Sequence, residues 1–323
     1  MSSSTTSIAE KRLVFLVGAP RSGTTWVQLM LASTDEVATA NESHLFSKYL
    51  ASLFDGWDAF RGNAREIGLH HLMTEDEYLS LVRNFAYGVM ARILAKKPNA
   101  SIILEKTPQH LKVWRRILKT FPDACFLHLV RDPRSVAASL QAAQATWGRR
   151  WLSTRLIDYC SQWRYYIEQG REIRKHTKNY IEVRYEDFIN DGGHTLRSVF
   201  AWLGVERSLA ECEQIIDRFS IDKLRSGAAN GMPWDLAAEP PGFYRRGTAE
   251  GWEGDLSPSQ ISLVEAMTKE VMPIFGYRPV SRAGRMSHLA SLRLVFLRER
   301  IRTALSWRLG SFANKLSPRE RSL

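Results

Sequence analysis

Cysteine is scarce in this 323-residue chain. There are three, Cys125, Cys160 and Cys212, and none stands in a CxxC or CxxxxC spacing. That excludes a disulfide framework and a cysteine-built zinc site, and the thiols are expected to be buried in a reducing compartment. Long apolar runs are missing too; none approaches the about 20 residues that a membrane-spanning helix needs. Residues 1–12 do not read as a secretory signal, and a cytoplasmic protein is expected. Acid is in deficit, with 34 Asp/Glu against 45 Lys/Arg and a net charge of +11. The excess is local: residues 281–323 carry ten Lys/Arg and two acids, leaving 35 against 32 for residues 1–280. A near-neutral body does not support a nucleic-acid-binding surface. There is no internal repeat, and 44% hydrophobic with 24% charged residues fits a globular chain able to bury a sizeable core.

What is present centres on residues 11–33, KRLVFLVGAPRSGTTWVQLMLAS. Leu13–Val17 is an unbroken apolar run, as expected of a strand buried on both faces. It runs into a loop containing Gly18, Pro20 and Gly23, and from Thr24 the apolar residues Trp26, Leu29 and Met30 take helical spacing. Strand, glycine loop and helix together point to a phosphate site rather than an ordinary strand–turn–helix junction, because loop amides and the helix N-terminus aim donors and positive dipole at one point. Gly18 and Gly23 have the spacing of a Walker A loop, but Thr24 stands where that loop has its lysine. Without that lysine the loop can cradle a phosphate but is poorly equipped for phosphoryl transfer. The cation sits inside the loop instead, at Arg21.

Downstream, apolar strands alternate with helical segments. Strands are expected at 36–40 (or a turn), 102–104, 125–130 and 180–184, and helices at 75–95, 108–120, 133–144, 154–176, 193–203, 209–219 and 259–275. Residues 51–68 read as a loop with short helical pieces, and 227–254 as a long Gly- and Pro-rich loop. Thr74 with Glu77 forms a capping box, and the stripe of the helix it starts runs through Leu79, Val82, Phe85, Val89 and Ile93. This alternation predicts an α/β fold: a P-loop-type parallel sheet with helices on both faces. Ligands of such sheets lie beyond the carboxyl ends of the strands, and Arg21, Lys106, Arg131 and Tyr185 each fall just after one.

The segment GAPRSGTTW (18–26) resembles the 5′-phosphosulfate loop of sulfotransferases that use 3′-phosphoadenosine 5′-phosphosulfate (PAPS), in its arginine form. The resemblance implies that Pro20, Arg21, Ser22, Gly23, Thr24, Thr25 and Trp26 hold the donor, with no metal. FLHLVRDPRSVAAS (126–139) resembles the family's 3′-phosphate motif, implying that Arg131 and Ser139 clamp that phosphate. Ser139, two helical turns beyond the strand end, is on a face that overlooks it. The plainer alternative for Arg131 is a surface pair with Asp132; Arg134 reads as a solvated helix residue. FYRRGTAEGW (243–252) is similar to the family's RKGxxGDW loop, so Arg245, Arg246 and Gly247 become 3′-phosphate contacts, although GDW is EGW here. Tyr185 in RYEDF matches a tyrosine near the adenine, or else simply belongs to a capping cluster; Ser220 is a further adenine candidate.

The base that takes the acceptor proton has three candidates. Glu42 in NESHLF resembles the KExHFF glutamate of heparan-type enzymes. His44 lies two residues on. His110, in EKTPQHL, is near the place of the histidine in phenol-type enzymes, but those read KTH, and Pro108 stands there in this chain. An exposed helical histidine is the plainer reading of His110. Glu42 is the expected base, with Lys106 the cation near the sulfuryl group. The expectation is a sulfotransferase domain over 8–280, transferring a sulfuryl group from PAPS to a hydroxyl (or amine) of a small molecule or glycan. The rival readings are a P-loop kinase, which Thr24 argues against, and a non-catalytic nucleotide-binding module. The tail at 281–323 carries an apolar stripe through Leu297, Ile301, Leu305, Leu309, Phe312 and Leu316 among arginines. Such a basic amphipathic helix suits peripheral attachment to an anionic membrane, or self-association such as a homodimer.

Overall fold

The computed structural model of the chain describes residues 8–62, 67–229, 239–285 and 297. Five strands, β1 (Arg12–Gly18), β2 (Val37–Thr39), β3 (Ile102–Lys106), β4 (Cys125–Val130) and β5 (Tyr180–Arg184), pair in parallel in the order β2-β3-β1-β4-β5. The helices of the first half are α1 (Thr24–Ala32), α2 (Leu50–Ala59), α3 (Glu75–Leu94), α4 (Trp114–Thr120), α5 (Pro133–Ala145) and α6 (Leu156–His176). Those after β5 are α7 (Tyr185–Asn190), α8 (Gly192–Leu203), α9 (Leu209–Arg218), α10 (Ile221–Ser226), α11 (Pro258–Thr268) and α12 (Arg282–Arg285).

β1 is the middle strand, and its residues Val14–Val17 are wholly buried. Strand geometry sends Phe15 and Val17 into one core layer and Val14 and Leu16 into the other. The first layer is closed by α2 to α6 and α11, the second by α1 and α7 to α10. Burying each such aliphatic or aromatic side chain contributes about 1.5–3 kcal/mol. β2 and β3 lie on one side of β1, β4 and β5 on the other, so the connections diverge at the carboxyl end of β1 and leave a crevice there. The expected α/β class with a parallel sheet covered on both faces is the observed one.

Some local expectations needed revision. The capping box of Thr74 and Glu77 opens α3, but Phe85 is exposed, and the buried stripe runs through Leu79, Val82, Ala86, Met90 and Ile93. Ala86 is the smaller residue, yet it is the one at the correct helical angle. Within the stretch read as a loop with short helical pieces, residues 50–59 form one ten-residue helix, α2, burying Leu50, Phe54 and Trp57 at i, i+4 and i+7; Gly56 obscures that period. The span 108–120 divides into a 3₁₀ segment (Pro108–Val113) and α4. Residues 259–275 divide in the same way, into α11 and a 3₁₀ turn at Met272–Phe275. The short helix α10 had no clear signature. All three cysteines are buried and unpaired.

Arg134 is not solvated. It is buried, bonds Asp132 at 2.7 Å and Glu265 at 2.7 Å, and lies 4.1 Å from the centre of the Trp252 ring. Glu265 also accepts from the amides of Val280 and Ser281, tying the end of the body to α11. The amphipathic stripe of the tail lies outside the described residues apart from Leu297, as does the stretch 230–238 of the long loop.

Candidate active site

The loop after β1 is built by close approach. A Cβ on Gly18 would stand 2.5 Å from the carbonyl oxygen of Leu129, so only glycine lets β4 pass. Arg21 (φ 71°) and Gly23 (φ 97°) both take left-handed backbone, folding the loop back over the strand end. A Cβ on Gly23 would meet the Tyr185 ring at 2.6 Å. α1 begins at Thr24 with no side-chain cap and no acid in its first turn, so its leading amides and dipole are left for an anion. Ser22 is fully buried and its hydroxyl has no hydrogen-bond partner.

Two arginines face each other above this loop, with no acid bonded to either among the described residues. Arg21 donates through Nε to Ser139 Oγ (3.2 Å) and through Nη2 to the Phe243 carbonyl (2.5 Å), packed 4.2 Å from the Phe243 ring centre. Arg131 donates to the Arg21 carbonyl at 3.2 Å and lies 4.0 Å over the Tyr185 ring, with its buried Nε unpartnered. Burial first, and the Arg131 charge second, pull Arg21 down to about 10. Among the described residues neither arginine has a carboxylate within ion-pair distance, so the pair is a positive site suited to an anion. Asp132, the partner considered for Arg131, is engaged by Arg134 instead. Arg245 and Arg246, by contrast, are both held by Asp255, at 2.6 and 3.0 Å. Gly247 follows at φ 65° with Ile221 packed against it.

Lys106, at the end of β3, is buried and donates from Nζ to Glu42 Oε1 (2.7 Å) and Thr25 Oγ1 (3.2 Å). Glu42 is exposed at the mouth of the site, and His44 Nε2 lies 3.6 Å from its other oxygen. His110 is fully buried rather than exposed. Its Nε2 accepts from the Phe46 amide at 3.1 Å, and burial with the nearby His44 pushes it down to about 3. A neutral ring with its acceptor nitrogen already used cannot take a substrate proton.

These groups share one cleft of about 270 Å³. Pro20, Gly23, Thr24, Thr25 and Trp26 line it together with Arg21, Glu42, Arg131, Ser139, Tyr185, Arg245, Arg246 and Gly247. Ser22 and Lys106 lie behind that lining, and His44 beside it. Ser220 stays outside; Ile221 lines the cleft in its place, and Trp26 Nε1 fixes this turn by donating to the Phe219 carbonyl at 2.8 Å. Trp147, Trp151, Phe243 and Tyr244 also line the cleft, forming an aromatic side that the sequence reading had not singled out. Glu239 was missed as well. It is half-buried among Lys106, Arg21 and Glu42, and burial holds its carboxyl above the usual range. Paired tryptophans in WGRRW were the available signal for the wall; Glu239 has none. Among the described residues no cluster of His, Cys, Asp or Glu has the arrangement of a metal site.

Comparison with known proteins gives the same direction. The sequence model described as "Sulfotransferase family" matches residues 14–209. The protein-tyrosine sulfotransferase of Drosophila melanogaster is 27% identical over 202 residues, covering 61% of this chain and 38% of the relative. The chain therefore spans well under half the length of that relative. Among solved structures, a sulfotransferase domain from the curacin biosynthetic pathway superposes with a TM-score of 0.56 at 15% identity, covering 83% of this chain and 98% of that one. Mouse sulfotransferase SULT7A1, solved with PAP, gives 0.50 at 16% identity over 88% and 92%. At such identities the two structures show likeness of fold alone, whereas the family match takes in more than half of the chain. The chain belongs to the sulfotransferase family.

Proposed function

We propose that the protein transfers a sulfuryl group from PAPS to a hydroxyl of an acceptor. The observation that carries this reading is the meeting, at the crevice beyond β1, of a lysine–carboxylate pair with two half-buried arginines that have no carboxylate within ion-pair distance among the described residues. The arginines and the free α1 amides suit a donor with phosphates at both ends of its ribose, and the unpartnered Ser22 hydroxyl and Arg131 Nε offer further donors for it. The mouse neighbour solved with PAP supports the same choice.

Arg131, Ser139 and Arg246 would grip the 3′-phosphate, Arg21 and the loop amides the 5′-phosphate, and Trp26 with Tyr185 the base. Glu42 accepts the proton of the acceptor hydroxyl as its oxygen attacks sulfur. The bond from sulfur to the bridging phosphate oxygen breaks, its electron pair stays on that oxygen, and Lys106 and Arg21 offset the charge growing there. Trp147 and Trp151 give the acceptor side an apolar aromatic wall. The relative named for protein tyrosine makes a tyrosine-type phenol the first acceptor to try, ahead of alcohols and glycans. Mass spectrometry after incubation with PAPS and such a panel tests the reading: a product heavier by one SO₃ supports it. Magnesium-dependent phosphoryl transfer from ATP with no sulfated product refutes it.

A further inference from the structure

β3 ends in adjacent acid and base, Glu105 and Lys106, which strand alternation sends to opposite faces. Lys106 points toward α1, behind the cleft lining, where it bonds Thr25. Glu105 goes into the other layer, where it is 1% exposed. There its Oε1 accepts from Thr107 Oγ1 at 2.6 Å and from Ser43 Oγ at 2.9 Å, with His110 Nδ1 3.4 Å away. The same stretch is tied down at each following residue. His44 donates its amide to Thr107 Oγ1 (3.4 Å), Leu45 to Ser43 Oγ (3.0 Å) and Phe46 to His110 Nε2 (3.1 Å). A buried carboxyl with one oxygen unpartnered is costly, and an apolar side chain would fill the space without that cost. What an apolar side chain cannot do is accept from hydroxyls on two different segments at once.

Glu42 is the residue before this anchored stretch, and Lys106 the residue after Glu105. We infer that Glu105 is a positioning residue, whose carboxyl fastens Ser43 to the end of β3 and thereby holds the Glu42 carboxylate against Lys106. The inference rests on the reading of Glu42 as the base. With Ser43 released, residues 41–44 lose their anchor on β3 and the base swings away from the lysine. A misplacement of about 1 Å in a reacting constellation can cost about 10²-fold in rate.

Crystal structures of the full chain carrying Glu105→Leu and Glu105→Gln read the geometry without needing an acceptor. Glu105→Leu is expected to open the Lys106–Glu42 contact beyond hydrogen-bonding distance, and Glu105→Gln, which keeps an acceptor oxygen, to preserve it. In turnover, Glu105→Leu should lose at least about tenfold in kcat with PAP affinity unchanged, and Glu105→Gln should recover most of it. If Glu105→Leu does not fold, Ser43→Ala removes one bond of the network, and it should show the same displacement and a smaller kcat loss. A Lys106–Glu42 contact kept at its present distance in Glu105→Leu, or in Ser43→Ala where Leu does not fold, overturns the inference. Normal turnover by Glu42→Gln would instead overturn the base assignment, and the crystallographic comparison would still decide whether Glu105 holds Glu42 in place.

Discussion

Replacing Glu105 by glutamine should change how stability depends on pH, because the carboxyl is buried without a cation of its own on that face. Burial is the leading cause that holds it up to about 7, against an ordinary value of 4.5. The hydroxyls of Thr107 and Ser43, and Lys106 across the strand, lower it, while Glu42 raises it; His110 is neutral and adds no charge. A raised carboxyl pKa means the folded chain holds the proton more tightly than the unfolded one. Its favourable contribution is therefore present below about 4.5 and is lost as pH rises through 7. The shift of about 2.5 pKa units corresponds to about 3 kcal/mol, most of which falls between pH 5 and pH 8. Glutamine cannot ionise, so Glu105→Gln should gain about 2–3 kcal/mol on the native chain across that interval, whatever its offset at pH 5. Urea unfolding of both proteins at pH 5, 6, 7 and 8 measures this directly, since the other titrating groups cancel in the difference. A stability difference that stays constant over the range would refute the description of Glu105 as a carboxyl protonated through burial.

Glu42→Gln should cut turnover by about 10²-fold or more with PAP affinity nearly intact, measured by steady-state kinetics beside calorimetry. Gly23→Ala forces a Cβ onto a backbone at φ 97° and to 2.6 Å from the Tyr185 ring; a lower melting temperature and weaker PAP binding together are expected, by at least about 1 kcal/mol each. Arg134→Ala leaves Asp132 and Glu265 buried without their shared cation and should cost about 3–5 kcal/mol in chemical unfolding.

The sheet was legible because its signal is local. Leu13–Val17 runs apolar into glycine, Ile102–Leu104 runs apolar before charged residues, and Cys125–Val130 does so with only His128 interrupting. Arg21 and Arg131 of the cleft were legible for the same reason, each following the end of a strand. What escaped depends on partners far away in the chain. Arg134 follows a proline at a helix start and looks solvated, but the acid that buries it, Glu265, is 131 residues on. His110 looks like a surface residue of a helix until Phe46 closes over it from 64 residues before. Nothing within EKTPQH shows that Ser43 completes the Glu105 network. The extent of α2 was not legible because Gly56 interrupts its propensity, while tertiary packing of Leu50, Phe54 and Trp57 decides the outcome.

The arginine-lined crevice is expected to grip a nucleotide bearing phosphate at both the 3′ and the 5′ position. Isothermal titration of the full chain with adenosine 3′,5′-bisphosphate and with AMP, at one salt concentration, tests it without any knowledge of the acceptor. One or two charge-assisted bonds to the 3′-phosphate, at about 1.5–3 kcal/mol each, predict that the bisphosphate binds at least about tenfold more tightly. Replacing Arg131 by alanine should remove most of that preference. Equal affinity for the two nucleotides would contradict the account.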